Sequence, residues 1–224
     1  LVNDLYELLD EEHVGFFASG YKRSAAYGAE DAQGIVRRTA ALNAIKNFKR
    51  GYLVICTYPE ALAESVADEE RLAEQSLHLA VGDTMQQASL VEWLSTHNFT
   101  RVDFVYEPGQ YSVRGGLVDI FSYVESKPYR VDFFGDVIDS LRRFDISSQL
   151  SAERPDEVDI IPNMLSDSGV SKRVSLATFA AEATWWMADG DHILRKIADI
   201  RKKVLETAES EEDARKLAMR VTSR

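Results

Sequence analysis

Two arginines stand out in this 224-residue chain as side chains placed to do chemistry. Arg101 opens the strand-like run RVDFVY. Arg114 closes the run YSVR, beyond the turn Pro108-Gly109 and just before Gly115-Gly116. A guanidinium is a planar fork of donors that grips a carboxylate through two parallel bonds, and arginine is a frequent anchor of protein interfaces. If the two runs pair as antiparallel neighbours, both guanidinium groups reach one face of a sheet. The competing reading is that each arginine lies over an apolar sheet or pairs locally with Asp103 or Glu107. Four carboxylates, Asp119, Asp132, Asp136 and Asp139, fall on nearby strands and turns. Paired, two of them could work as acid and base, but alternation along strands favours a solvated sheet face.

Other chemistries lack their residues. The chain has no G-x-x-x-x-G-K-[ST] and no G-x-G-x-x-G after a strand, so it has no cradle for nucleotide phosphates and is not expected to bind or turn over ATP. His13, His78, His97 and His192 show no metal-ligand spacing, and no serine sits in a G-x-S-x-G elbow. The single cysteine, Cys56, sits in the apolar run YLVICTY and reads as a buried thiol in a reducing compartment, which excludes a disulfide scaffold. The longest apolar runs are too short to span a bilayer, and no signal peptide opens the chain, so a cytoplasmic protein without membrane contact is expected. The net charge of −11 is the wrong sign for a smooth basic face that neutralises nucleic-acid phosphates. The acidic stretch Glu60–Glu74 reads as a solvated helix face. The chain starts without methionine and ends on a charged stretch, and is read as a piece of a longer protein.

The elements that must position the arginines follow from periodicity and punctuation. Leu5, Leu8 and Leu9, and then Ile35, Leu42, Ile45 and Phe48, are spaced for helices. Val14–Ala18 and the run 52–58 read as strands, the second fully buried as in a parallel sheet. Pro59 opens the next helix at a position where a missing N–H costs nothing. Ser76–Val81 restarts the pattern as a strand, and Asp83 or Thr84 can cap a helix that runs to about His97. Strands follow at Arg101–Tyr106, Tyr111–Arg114, Leu117–Tyr123, Tyr129–Phe134 and Val137–Phe144. Their turns are close enough for an antiparallel meander. From Ser171 the chain reads as helical, with Val174, Phe179, Trp185 and Trp186 as bulk and Ile193, Ile197, Ile200 and Val204 as one stripe, ending in a charged helix over Glu206–Arg224. The expected fold class is α/β: a partial parallel domain over 1–75, an inserted α+β antiparallel-sheet subdomain over 76–162, and C-terminal helices over 163–224.

The segment RVDFVYEPGQYSVRGGLVDIFSY, followed by PYRVDFFGDVIDSLRRFD and SSQLS, resembles the UvrB-homology module of bacterial transcription-repair coupling factors. YKRSAAYG and TYPEAL resemble the first subdomain of the same module. UvrB-like proteins tend to show V-R-G-D at the bend, where this chain has Val113-Arg114-Gly115-Gly116, and EPGQY also favours the coupling factors. The resemblance implies a P-loop-like remnant without a Walker motif, whose first strand and degenerate phosphate loop lie upstream. It implies a module with no nucleotide turnover that recruits UvrA. The parent would be an ATP-dependent DNA translocase, with ATP and Mg as its cofactors, that displaces stalled RNA polymerase and holds double-stranded DNA through other parts. The arginine before V-D-F matches Arg101, and the arginine of the bend matches Arg114. UvrB carries a further arginine two residues before the bend, where this chain has Ser112. Phe121, in the same hairpin, is a candidate apolar anchor, with a core role as the alternative. A UvrB-type fragment that handles damaged DNA by direct contact is the alternative function.

Overall fold

The structure, a computed structural model, describes residues 2–10, 13–21, 31–164 and 173–206. In chain order the elements are α1 (Val2–Leu8), β1 (Val14–Phe16), α2 (Ala32–Asn47), β2 (Val54–Cys56), α3 (Pro59–Leu62), β3 (Val66–Ala67), α4 (Glu69–Glu74) and β4 (Leu77–Ala80). They continue through α5 (Gln87–Thr96), β5 (Thr100–Arg101), β6 (Gln110–Arg114), β7 (Leu117–Ile120), β8 (Tyr129–Phe134), β9 (Val137–Phe144) and β10 (Ser151–Glu153). The last are β11 (Glu157–Ile160), β12 (Arg173–Val174), α6 (Leu176–Phe179) and α7 (Gly190–Glu206). Among the described residues the result is a mixed α/β fold with one six-stranded sheet and three two-stranded ones. It divides into two compact units, Leu1–Leu72 with Asp167–Arg224, and Ala73–Ser166. No helix among the described residues is long and apolar enough to cross a membrane.

In the first unit β1 and β2 pair in parallel, with Val14 opposite Val54, and α2 connects them, as parallel strands require. The run 52–58 is not the fully buried strand that its apolar residues suggest. Only Val54–Cys56 is extended, and all three residues are half-buried, because a two-stranded sheet has no central strand to enclose. Cys56 is therefore half-buried too, and that burial pushes its thiol upward. Pro59 opens α3 as expected.

The acidic run holds a larger departure. Glu64 is buried against Arg38 of α2, with Glu64 Oε2 3.2 Å from Arg38 Nη1. Arg38 also donates to the carbonyls of Ala18 at 3.2 Å and Ser65 at 3.0 Å, and its guanidinium lies 4.1 Å from the Phe17 ring centre. The Glu64 carboxylate in turn accepts from Gly20 N at 3.0 Å and from the Ser19 hydroxyl. Burial pulls Arg38 down to about 10, and Glu64 opposes that pull. The segment after β1 and the one before β3 are thus joined by a paired buried charge rather than by apolar packing alone. Sequence alternation could not separate this glutamate from its solvated neighbours.

The helical reading from Ser171 also needs correction. Residues 173–174 form β12, antiparallel to β3, and Arg173 donates to Ser65 O at 2.9 Å. The Ser175 hydroxyl caps α6 by accepting from Thr178 N. The long helix begins only at Gly190, where Asp189 Oδ1 accepts from His192 N at 2.9 Å. Trp185 and Trp186 supply no core bulk, since both lie exposed before that helix. On α7, Val204 is buried and Ile193, Ile197 and Ile200 are half-buried, and the helix packs on α3. The charged helix expected over 206–224 lies outside the described residues from 207 onward, as does most of YKRSAAYG.

The second unit is the meander. Its sheet order is β10-β9-β8-β7-β6-β5, antiparallel from β6 to β10, and β8 and β9 have the ends that the sequence indicates. β4 is separate from that sheet and pairs antiparallel with β11, Leu79 opposite Val158. Neither Asp83 nor Thr84 caps α5. Gln86 holds that position, and Asp83 Oδ2 instead accepts from Ala80 N. Alternation sends Val118, Ile120 and Val131 to one side of the sheet, where they form a core with Leu79, Leu90 and Leu94. Each fully buried side chain of this size contributes about 1.5–3 kcal/mol. The Pro108-Gly109 turn behaves as read: Gly109 has φ +85, and a Cβ there would stand 2.2 Å from Tyr123 Oη.

Candidate protein-binding site

The other side of the meander is polar, and its register brings the charged residues into rows. Ser112 of β6 faces Asp119 of β7, which faces Arg130 of β8, which faces Arg142 of β9. One step along, Arg114 shares a row with Leu117 and Asp132. Asp119 is the hub. It is 2 % exposed, so it is not the solvated sheet-face carboxylate that alternation suggests. Arg130 holds it in a fork, with Nε 2.7 Å from Oδ1 and Nη2 2.9 Å from Oδ2, and Arg114 Nη2 also donates to Oδ2. Bidentate charge-assisted bonds of this kind are among the strongest a surface can carry. The Asp119 carboxylate drives the Arg130 guanidinium upward. Arg142 pairs separately with Asp132 at 2.7 Å.

Arg114 sits at the bend because Gly115 takes φ +60 there, a conformation that side-chain-bearing residues rarely adopt. Its side chain is 37 % exposed, and its guanidinium lies 5.1 Å from the ring centre of Phe104. It is therefore held on one side by Asp119 and supported by an aromatic face, while part of it meets solvent.

Arg101 is placed differently from the expectation. β5 runs parallel to β6, not antiparallel, and sets Arg101 opposite Tyr111. That register puts Arg101 on the Tyr111 side of the sheet, whereas Arg114 belongs to the opposite side. The reason is the connection. The strand expected over 101–106 ends after Arg101, and the chain makes a full excursion through 102–109 instead of a hairpin, with Val102 N bonded to Tyr111 O. Arg101 is exposed at the sheet edge and makes no ion pair with the described residues. Phe121 is 4 % exposed, and its backbone is bonded to Gly109 and Gln110, so it is a buried residue and not a surface anchor.

Sequence reasoning thus singled out Arg114, but not the partners that hold it. Asp119 and Arg130 share a row once the 117–120 and 129–132 runs are paired, so their meeting was available from strand pairing. The Phe104 contact was not, because it depends on the excursion.

Residues 77–165 match the family described as the UvrB interaction domain. The transcription-repair-coupling factor of Escherichia coli (strain K12) is 33 % identical over 128 residues, which cover 57 % of this chain and 11 % of that protein. That of Myxococcus xanthus is 33 % identical over 132 residues, covering 59 % and 11 %. That of Staphylococcus aureus (strain USA300) is 26 % identical over 160 residues, covering 71 % and 13 %. The matches thus take in only 11–13 % of the length of these relatives. Residues 77–165 are thus similar to the UvrB interaction domain, and the chain is similar to transcription-repair-coupling factors over part of its length.

Proposed function

We propose that this chain is the UvrA-recruiting module of a transcription-repair coupling factor and acts in transcription-coupled nucleotide excision repair. The observation that carries the reading is Arg114. It is a half-exposed guanidinium, fixed at a glycine bend by a buried carboxylate and presented from within the UvrB interaction domain. A side chain already held in place loses little freedom on binding, so more of its pairing energy appears as affinity. Arg101, exposed and without an ion partner among the described residues, supplies a second cation at the edge of the same sheet. Acidic residues of UvrA are the complementary chemistry.

The parent protein in this reading is a cytoplasmic, ATP-dependent DNA translocase that displaces stalled RNA polymerase. ATP, Mg, polymerase and double-stranded DNA are assigned to its other parts, and this chain has no catalytic role. The unit containing β1, α2 and β2 is read as part of a P-loop-like domain without a Walker motif.

Titration of the 224-residue chain with purified UvrA tests the reading. Binding should weaken steadily with added salt, because the recognition is electrostatic and partly exposed. A low-salt gel shift with duplex DNA separates the alternative. Measurable DNA affinity with a steep salt slope, in the absence of UvrA binding, would replace recruitment by direct DNA contact.

A further inference from the structure

The excursion between β5 and β6 presents aromatic side chains beside Arg114. Phe104 is 48 % exposed and Tyr106 62 % exposed, while Val105 between them is buried. The loop is fixed in this arrangement. Gln110 Oε1 accepts from Tyr106 N at 2.8 Å and from Glu107 N at 3.1 Å, and Thr100 N and Val102 N bond to the carbonyls of Gly109 and Tyr111. An exposed-buried-exposed order on a pinned backbone leaves two aromatic rings facing solvent at little further cost in ordering. The Phe104 ring already carries the Arg114 guanidinium, so apolar and cationic surfaces are continuous.

We propose that Phe104 and Tyr106 form the apolar half of the binding face whose cationic half is Arg114. The inference rests on the recruitment reading and names what the partner must bring: a carboxylate beside an apolar pocket, on the surface of UvrA. The occupant follows from charge and continuity. Arg114 calls for an acid, and the exposed Phe104 ring adjoins its guanidinium directly, with Tyr106 exposed two residues further along the same loop. Aromatic and arginine side chains together are the usual composition of interface anchors. These rings take the place that Phe121 was expected to fill.

The test uses Phe104→Ala, Tyr106→Ala and the double variant in the 224-residue chain, titrated with purified UvrA at several salt concentrations. Arg114→Ala runs beside them. Each aromatic loss should weaken binding by about tenfold, the scale of an interface anchor. The salt slope should stay as in the wild type, because no charge is removed, whereas Arg114→Ala should flatten it. Tyr106→Ala is the decisive arm, since the Arg114 guanidinium is held by Asp119 and the Phe104 ring rather than by a hydrogen bond or cation–π contact to Tyr106. Unchanged melting of the variants shows that the loop still folds. Wild-type affinity in Tyr106→Ala and the double variant, with Arg114→Ala impaired, overturns the aromatic face and leaves the recruitment reading standing. Wild-type affinity in all four overturns both. If the rings instead pack against a second copy, the wild type will sediment as a dimer, the double variant as a monomer, and UvrA binding will not change. That result also overturns the proposal.

Discussion

Replacing Asp119 by asparagine should destabilise the meander and release Arg114 at once. Three donor bonds converge on this carboxylate, two from Arg130 and one from Arg114, and the group is 2 % exposed. Asparagine keeps one acceptor oxygen and turns an N–H2 group toward a guanidinium, so at least one bond and the charge attraction disappear. A hydrogen bond to a charged group is worth about 1.5–3 kcal/mol, and breaking a fully buried pair costs about 3–5 kcal/mol. Both arginines reach solvent, with side chains 37 % and 15 % exposed, which lowers the cost to about 2–4 kcal/mol. The chain has two units, so a global unfolding curve would mix them. Trp93 lies in the second unit, while Trp185 and Trp186 lie in the first, and these are all the tryptophans. In a Trp185→Phe/Trp186→Phe background, Trp93 fluorescence during urea unfolding reports the second unit alone. Asp139→Asn, an exposed carboxylate on the same sheet, is the control and should stay within about 0.5 kcal/mol. A change of similar size in Asp119→Asn would refute the claim that the carboxylate organises the face.

Two other outcomes follow from the same reasoning. Arg38→Met removes the partner of buried Glu64 and the donors to the Ala18 and Ser65 carbonyls, so the first unit should lose about 3–5 kcal/mol while the Trp93 signal of the second is unaffected; hydrogen exchange of the α2 amides measures it. Asp145 Oδ1 accepts from the Ser147 hydroxyl and amide and from those of Ser148, and these bonds hold its carboxyl down at about 2, against an ordinary 3.8. Its folded value lies below the unfolded one, so the loop's contribution is complete above the ordinary value and is lost as pH falls from there through about 2. Carbon NMR titration of the Asp145 carboxyl checks this, with a midpoint near the ordinary value as the contrary result.

The strands of the meander were legible because alternation and glycine punctuation coincide there. Tyr129–Phe134 and Val137–Phe144 are joined by the Gly135-Asp136 turn, and the structure keeps both spans, with one register shift between Asp132 and Phe133. RVDFVY has the same alternation, yet only its first residue pairs, because after Val102 N bonds to Tyr111 O the chain leaves the sheet in the excursion to Gly109. Charge defeated sequence reasoning more systematically. Asp119 and Glu64 look like any surface acid in the chain, and each is buried only because a distant arginine, Arg130 or Arg38, arrives to pair with it. Exposed tryptophans misled in the opposite sense, since Trp185 and Trp186 read as core but precede the helix instead of lying within it. Arg114 was recognisable because a bend glycine marks it. Arg101 was recognisable as a cation, but its side of the sheet was not, since that depends on a parallel pairing that adjacent short runs do not suggest.

The recruitment account meets its most direct test in calorimetric titration of UvrA with the wild-type chain and with Arg114→Ala. In the proposed reading the exposed part of Arg114 is the group offered to the partner, and removing it leaves Asp119 still held by the two bonds from Arg130. Affinity should fall by about 2 kcal/mol or more, roughly 30-fold, with the melting of the second unit little changed. Equal affinity for the two chains, with both folded, would contradict the assignment of this face to UvrA.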